Sequence, residues 1–456
     1  MNVDVAVVGG GIAGLAAAWE ARRRGADVVV LEADGRVGGK LRTSPVAGVA
    51  LDESADGFLA RVPEAVELCR SVGLTDELVS PATGAAYLWS EGTLRRLPSE
   101  QLLGVPTDVD AVAATGILTA AGLARLREDL DRPDDRPPGD ADEAIGALVR
   151  RRLGDEVLDK LIAPLVGGIW AADCDALSLQ VATPQLAEAR RRNASLVRGA
   201  AELRAAAPSS EAPVFLAPRG GMGQLVDALR ERLGDAVRVA TPVDALDRRD
   251  GRWHVAPAGI SADAVVVATP AGMTAKLVGP HAPDAGARLA DVGYSSVALL
   301  ALAVRREDIE RDLDGSGYLV PPSEGRLLTA CSWTSAKWPH LARALDPELV
   351  LLRASAGRAG DERALGLDDD ALVSALLADL GATMGLHGTP VDVRLTRWHD
   401  SFPQPRPGHA DRVAAIRADL AAHAPGVAVA GSWVDGVGMP ACIRSAQHAV
   451  ASVLPR

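Results

Sequence analysis

The chain opens with an apolar run from Val3 to Val8, interrupted only by Asp4, that stops at three glycines. A short apolar run bounded by a turn signal predicts a buried strand. An alanine-rich stretch with the spacing of a helix follows, and Val28 to Leu31 reads as a second strand that ends at Glu32. Leu51 to Phe58 predicts a strand running into a polar turn. From about 61 to 205 the spacing is mainly helical, and Glu143 to Leu165 and Ala187 to Ala207 have the length and apolar spacing of helices. The acidic, proline-rich break from Asp131 to Asp142 reads as an exposed loop. Beyond it the period changes. Pro218 to Gly223 is a turn before a helix, Val237 to Leu246 and Trp253 to Ala256 look like strands, and Ala264 to Ala268 is a buried one. Val297 to Val304 and Val350 to Ala354 suggest a second sheet. Val427 to Gly431 is a strand leading through a loop to a last helix from about Ile443. Strands of the first kind recur at the start, middle and end, so the pattern predicts an α/β protein of two interleaved, discontinuous lobes.

The first turn carries candidate chemistry. In Gly9-Gly10-Gly11-Ile12-Ala13-Gly14, Gly9 permits a tight strand-to-helix turn, Gly11 lets the backbone approach a pyrophosphate, and Gly14 lets the helix pack closely on the strand. The exposed N–H groups at the helix start favour phosphate. Glu32 suits ribose hydroxyls and would repel a 2′-phosphate, which argues against NADP. A glycine-rich turn alone also has a purely structural reading; strand, turn, helix, strand and acid in register point to a dinucleotide. Arg36-Val37-Gly38-Gly39-Lys40-Leu41-Arg42-Thr43 adds glycines and cations, and the pairing points to FAD. No second GxGxxG follows a later strand, so a separate NAD(P)H domain is not expected and oxygen is a suitable reoxidant. Taken with the family resemblance of the motifs further along the chain, the expected fold is a Rossmann-like FAD-binding lobe (1–60, 215–285 and 410–456) interleaved with a mixed-sheet substrate lobe (61–85 and 286–409) and a helical subdomain (86–214).

Composition narrows the setting. At 456 residues two or more lobes are expected. A net charge of −12 argues against nucleic acid. Lysine occurs only at 40, 160, 276 and 337, a bias typical of a GC-rich genome. Cys69, Cys174, Cys331 and Cys442 are scattered, so neither a disulfide framework nor a metal site is expected, and reduced cytoplasmic thiols fit. The first strand begins almost at once, leaving no room for a signal peptide. Ala111 to Ala124 is too short to span a bilayer; peripheral contact with a membrane stays open.

Motifs along nearly the whole length bear a resemblance. LGVPTD (103–108), RRLGDEVLDKLIAPLVGGIWAAD (151–173), LSL (177–179), PRGGMGQLVDAL (218–229), CSWTSAKWPH (331–340), TRWHDSFPQPRPGH (396–409) and AGSWVDGVGMPACI (430–443) follow one another in this order. With them the chain resembles the FAD-dependent protoporphyrinogen/coproporphyrinogen III oxidases of haem biosynthesis, within the amine oxidase and phytoene desaturase superfamily. No SGGCY-like segment for covalent flavin attachment is present. By this resemblance FAD contacts fall on Gly9, Gly10, Gly11, Ile12, Ala13, Gly14, Glu32, Ala33, Arg36, Gly38, Gly39 and Lys40. They continue on the Ala55-Asp56-Gly57-Phe58 turn beside the isoalloxazine, Val243 near the adenine, Trp398, and the Val437-Gly438-Met439 loop. Glycines at 436 and 438 leave backbone N–H groups free to face the flavin pyrimidine, and the following helix directs its positive end there; a simple helix-entry turn is the alternative.

The resemblance implies aromatisation of a porphyrinogen in three two-electron rounds, with hydrogen peroxide formed from oxygen and no catalytic triad. Arginine suits propionates because its fork matches a carboxylate. Arg95 and Arg96 are candidates for that role or for surface solvation. Trp170 is placed to stack on a flat macrocycle or to fill the core, and His409 to carry a proton, meet a propionate or serve structure. Relatives usually have tyrosine at Trp170, PQYxVGH where this chain has Pro403 to His409, and GIPDCI where it has Gly438 to Ile443. Arg406 adds a cation there, which suits a substrate rich in carboxylates, and Ala441 replaces an aspartate. Coproporphyrinogen III is the expected substrate. Protoporphyrinogen IX, a non-catalytic FAD-binding protein, and an amine oxidase or carotenoid desaturase remain as alternatives. Transient contact with a ferrochelatase-type enzyme is a further expectation.

Overall fold

The computed structural model describes residues 1–136, 141–206 and 213–454. Strand β1 (Asn2–Val8) lies mid-sheet, parallel to β2 (Val28–Leu31) on one side and to Ile260–Val267 on the other. Val5 and Val7 face one core with Val28, Val30 and Val266, whereas Ala6 and Val8 face another with Val29, Leu31 and Val267. A parallel strand covered on both faces reads as a near-continuous apolar run, which is the pattern at Val3 to Val8. Helix α1 (Ile12–Arg23) returns over the first core, packing its alanines with Ala446 and Val450 of the C-terminal helix Met439–Val453. The sheet order is Val237–Arg238, β2, β1, Ile260–Val267, Arg252–Ala256, Ala245–Arg249, and Val427–Val429 joins Ile260–Val267 in parallel.

The second sheet runs Asp392–Pro403, Tyr294–Arg305, Leu349–Ala356, Leu328–Ser332, Gly317–Leu319, Tyr87–Ser90, Thr93–Arg96. Its long strand Tyr294–Arg305 shows the division of labour. Leu300 and Leu302 face a core with Leu372, Leu376 and Leu380 of helix Asp369–Met384. On the other face Ala301 and Ala303 pack with Trp338, Val49 and Leu51, while Val297 and Leu299 look into a cavity.

Several expectations move. Tyr87–Ser90 and Thr93–Arg96 are strands of the second sheet, so the helical part does not start at 86; strands of four residues are too short for their period to show. Helix Pro63–Ser71, expected in the substrate lobe, packs into the first core through Ala65, Leu68 and Cys69. The helix expected at Glu143 to Leu165 breaks at Gly154 (φ +94°) into Ile145–Leu153, a turn Asp155–Val157 and a π-helix Leu158–Gly167. Pro164 accounts for the π form: in an α-helix its ring would clash with the carbonyl four residues back, and the wider turn relieves that. The Ala187 to Ala207 segment is two helices, Pro184–Arg192 and Leu196–Ala206, with Ala207 outside the described residues. The last helix starts at Met439, not near Ile443. In the acidic break, 131–136 is exposed and 137–140 lies outside the described residues. Among the described residues no helix is long and apolar enough to cross a membrane.

The helical part is tied by one buried ion pair. Arg152, 1% exposed, gives Nε to Asp129 Oδ1 at 2.6 Å, while Asp129 Oδ2 accepts Ser195 Oγ (2.7 Å) and Val197 N (3.0 Å). Removing one partner strands a buried charge, so Arg152→Met is expected to cost about 3–5 kcal/mol. The double variant with Asp129→Asn should recover part of it, as read by urea denaturation of both proteins.

Candidate active site

The glycine turn is built by its hydrogen bonds. Gly9 N donates to Leu31 O (2.8 Å), Gly10 N to Glu32 Oε2 (2.5 Å) and Gly38 N to Gly10 O (2.7 Å). Asp34 N donates to the other Glu32 oxygen (2.9 Å), so each carboxylate oxygen keeps a lone pair. A Cβ on Gly14 would lie 1.8 Å from Gly9 O, which explains why only glycine permits this helix to approach the strand. A Cβ on Gly11 would meet nothing within 4 Å: the space over the start of α1 is open, and no side chain caps that helix. Gly39 (φ +56°) covers the turn from the other side, its Cβ position 3.2 Å from Gly11 Cα, and Arg36 Nη2 donates to Gly39 O (2.8 Å). Ile12 and Ala13 begin the helix, Ala33 is exposed, and Val243 is buried in the second core.

Strand Val49–Asp52 leads into a turn held by charges from three directions. Asp56 accepts Lys337 Nζ (2.9 Å to Oδ2) and Trp338 Nε1 (3.0 Å), and Arg353 Nη2 lies 3.5 Å away. Burial works against its charge, but Arg353, Lys337 and the Trp338 hydrogen bond outweigh it and hold the carboxyl well below the usual range. Arg353 also donates to Ser54 O (2.6 Å), Arg394 to Leu51 O (3.1 Å) and Asp52 O (3.2 Å), and Trp398 Nε1 to Glu53 O (2.7 Å). Asp52, 6% exposed, accepts Thr43 Oγ1 (2.5 Å) and Met222 N (2.8 Å).

Above this turn lies a cavity of about 940 Å³. Its base includes Lys40 and Ala55–Asp56. One wall is the second sheet, with Val297, Leu299, Arg353, Trp398 and Phe402; the facing wall is the π-helix and its sequel, with Leu158, Pro164 and Ile169. Burial lowers the pKa of Lys40, and its ammonium makes no hydrogen bond or ion pair with the described residues. Of the expected flavin contacts, Lys40, Ala55, Asp56 and Trp398 line the cavity. The glycine turn lies outside it, Gly57 packs against Trp338 and Leu216 O, and Phe58 is buried. Val437, Gly438 and Met439 form the entry to the last helix, with Gly438 as its N-cap.

None of the five residues expected to meet substrate lines this cavity. Arg95 and Arg96 lie on the edge strand Thr93–Arg96, Arg95 against Gly116 and Arg96 exposed. Trp170 is buried in the helical core against Gly436, because Ile169 and Ala171 beside it take the directions that face the cavity. Arg406 is on an exposed turn. His409 is buried with Nε2 2.6 Å from Trp433 O, and burial lowers its pKa. The cations at the cavity are instead Lys40, Arg150, Arg353, Arg358 and Arg363. One signal for Arg353 was present: a charge in the middle of the apolar strand segment Val350 to Ala354.

Residues 12–454 match the family described as flavin containing amine oxidoreductase, and the chain belongs to that family. Within it, the chain is 33% identical over 473 residues to coproporphyrinogen III oxidase of Bacillus subtilis, covering 99% of this chain and 97% of that protein. It is 36% identical over 457 residues to coproporphyrinogen III oxidase of Mycobacterium tuberculosis H37Rv, with 98% and 96% covered. A crystal structure from Exiguobacterium assigned as a protoporphyrinogen oxidase superposes with a TM-score of 0.87 at 32% identity, covering 99% and 98%. The cofactor is therefore a flavin, FAD. The chain fits it: an uncapped α1 start, open space above Gly11 and a cavity beginning at Lys40 and Ala55.

Burial pushes the Asp52 carboxyl up to about 6, against its hydrogen bonds from Thr43 and Met222. Its folded value exceeds the unfolded one, so the stability it contributes is full below pH ~4 and is lost as pH rises through ~6, at most about 3 kcal/mol. Asp52→Asn keeps the acceptor oxygen without the charge. It should flatten the fall in stability between pH 4.5 and 7.5 seen by urea denaturation; an unchanged slope would show that Asp52 does not titrate there.

Proposed function

We propose that this chain oxidises coproporphyrinogen III to coproporphyrin III with oxygen as the final acceptor. The observation that carries this is the cavity: about 940 Å³, at the upper end of the roughly 300–1,000 Å³ of small-ligand sites. Its walls combine apolar residues such as Val297, Leu299, Leu158 and Phe402 with charged ones, and the Ala55–Asp56 turn forms part of its base. Bound FAD would supply the two-electron chemistry: each round would remove a hydride from a saturated bridging carbon and a proton from a pyrrole nitrogen of the porphyrinogen, and oxygen would take up both as one hydrogen peroxide.

The chain's own residues supply placement. The open approach at Gly11 and Gly39 and the start of α1 suit the pyrophosphate. The free lone pairs of Glu32 suit the ribose hydroxyls. The Ala55–Gly57 backbone, fixed through Asp56, and the start of helix Met439–Val453 would hold the flavin ring, and Val297, Leu299 and Phe402 would exclude water from the macrocycle. Protoporphyrinogen IX is the second reading, favoured by the assignment of the Exiguobacterium structure. Cytoplasmic action and passage of the product to a ferrochelatase-type enzyme belong to the first.

FAD-loaded protein mixed in air with either porphyrinogen, with porphyrin fluorescence and peroxide followed together, is expected to prefer coproporphyrinogen III. Preference for protoporphyrinogen IX transfers the enzyme to the second reading, and no turnover of either removes both.

The glycines separate cofactor binding from folding. Gly11→Ala should alter the stability of the apoprotein by less than about 0.5 kcal/mol yet weaken FAD at least about tenfold, or 1.4 kcal/mol. Gly14→Ala should instead destabilise the apoprotein itself, since its Cβ meets Gly9 O. Thermal melts and FAD titration distinguish the two.

A further inference from the structure

Arg358 differs from every other arginine at the cavity in how it is partnered. Arg353 is committed to Ser54 O and Asp56. Arg150 gives Nη1 to Asp155 (2.5 Å) and Nη2 to Asp175 (2.8 Å). Arg363 forks onto Asp361 with Nε to Oδ1 and Nη2 to Oδ2, both at 2.8 Å, and donates to Gly325 O (3.0 Å). Asp361 is thereby satisfied on both oxygens, and the Arg363 hydrogen bonds hold its pKa down at about 2. Arg358 is left with one contact, Nη2 to Asp361 Oδ2 at 3.5 Å, although its side chain is only 15% exposed. A guanidinium has five donors, and burial lowers its pKa, so this cation sits at the cavity wall with most of its hydrogen-bonding capacity unused.

The backbone around it is fixed. Gly357 (φ +92°) packs on Ser296 O, where a Cβ would come within 2.8 Å. Ala359 N donates to Ala171 O at 2.8 Å, and Gly360 takes a positive φ of +79°. The loop is thus clamped between the second sheet and the helical wall, which removes the ordering cost of presenting Arg358. Carboxylates also reach this cavity. Asp159, 3.9 Å from Arg150, sits on the helical side and burial raises its pKa, and Glu362 follows Asp361 on the loop. They make the neighbouring wall unfavourable for an anion. Lys40 is the other cation with unused donors, but it lies at the base beside Ala55 and Asp56, on the flavin side, which leaves Arg358 as the cation of this kind in the wall.

We infer that Arg358 is a substrate-positioning residue that takes a propionate carboxylate of the substrate, in the two-pronged geometry of an arginine–carboxylate pair. This rests on the porphyrinogen reading above. One charge-assisted pair at a half-buried site corresponds to about tenfold in affinity.

The test titrates coproporphyrin III, and its tetramethyl ester as a carboxylate-free probe, into oxidised FAD-loaded enzyme, following porphyrin fluorescence. Steady-state oxidation of coproporphyrinogen III runs alongside. Arg358→Gln should weaken coproporphyrin binding and raise KM about tenfold, leave kcat within about twofold, and leave ester binding unchanged. Arg358→Lys, which keeps the charge without the fork, should fall between. The flavin spectrum and melting temperature show that each variant is folded and loaded. If wild-type enzyme turns over coproporphyrinogen III but both variants bind and oxidise as it does, or if the ester weakens in parallel, the Arg358 assignment is wrong while the functional reading stands. If wild-type enzyme neither binds nor oxidises the porphyrin, the functional reading fails and takes this one with it.

Discussion

The structure depends on keeping one carboxylate ionised where two lobes meet. Asp56 lies in the turn after strand Val49–Asp52, Lys337 ends the short helix Thr334–Lys337, Trp338 stands between that helix and Pro339–Ala344, and Arg353 belongs to the second sheet. Burial alone would raise the pKa of Asp56; two cations and an indole N–H reverse that balance. The same chain segment is gripped by Arg394 and Trp398 through backbone carbonyls of Leu51, Asp52 and Glu53. Carbonyls are satisfied by charged or aromatic donors reaching from another sheet, so the relative position of the two lobes is encoded in polar contacts with narrow geometry rather than in apolar packing alone. That rigidity places the Ala55–Gly57 backbone at the base of the cavity.

How much of this was legible depends on the range over which each cause acts. The glycine turn was readable because its constraints are local: Gly14 must be glycine because Gly9 O is 1.8 Å from where its Cβ would be, five residues away in sequence. The apolar runs at Val3 to Val8 and Ala264 to Ala268 were readable because a strand buried on both faces must be apolar throughout. Tyr87–Ser90 was not: its hairpin partner Thr93–Arg96 is local, but four residues carry no clear period, and its other partner, Gly317–Leu319, lies more than two hundred residues on. The substrate candidates lie outside the cavity lining for a related reason. Arg95, Trp170 and Arg406 sit in or beside family motifs, but a motif fixes chain neighbourhood, and one residue along a helix turns a side chain by about 100°. Ile169 therefore faces the cavity while Trp170 is buried against Gly436.

The π-helix Leu158–Gly167 shows local strain put to use. Pro164 cannot continue an α-helix, and the two glycines after the π segment's last apolar residues offer no side-chain bulk. The outcome is a wall whose Leu158, Ala163 and Pro164 present small apolar surfaces to the cavity, where a regular helix would carry a different set of residues inward.

Charge sets the remaining constraint. The chain carries a net −12, and on the proposed reading its substrate is a polyanion, so long-range attraction cannot bring the two together. Nor do the cavity arginines form a free positive surface, because Arg150, Arg353 and Arg363 are each held by acids of the chain. Affinity must then come mainly from burying the apolar macrocycle against Val297, Leu299 and Phe402, at about 25 cal/mol per Å² of apolar surface, while short-range polar contacts decide orientation. A site built this way depends little on ionic strength for its affinity, and on the proposed reading it orients the ring by which edge meets Arg358.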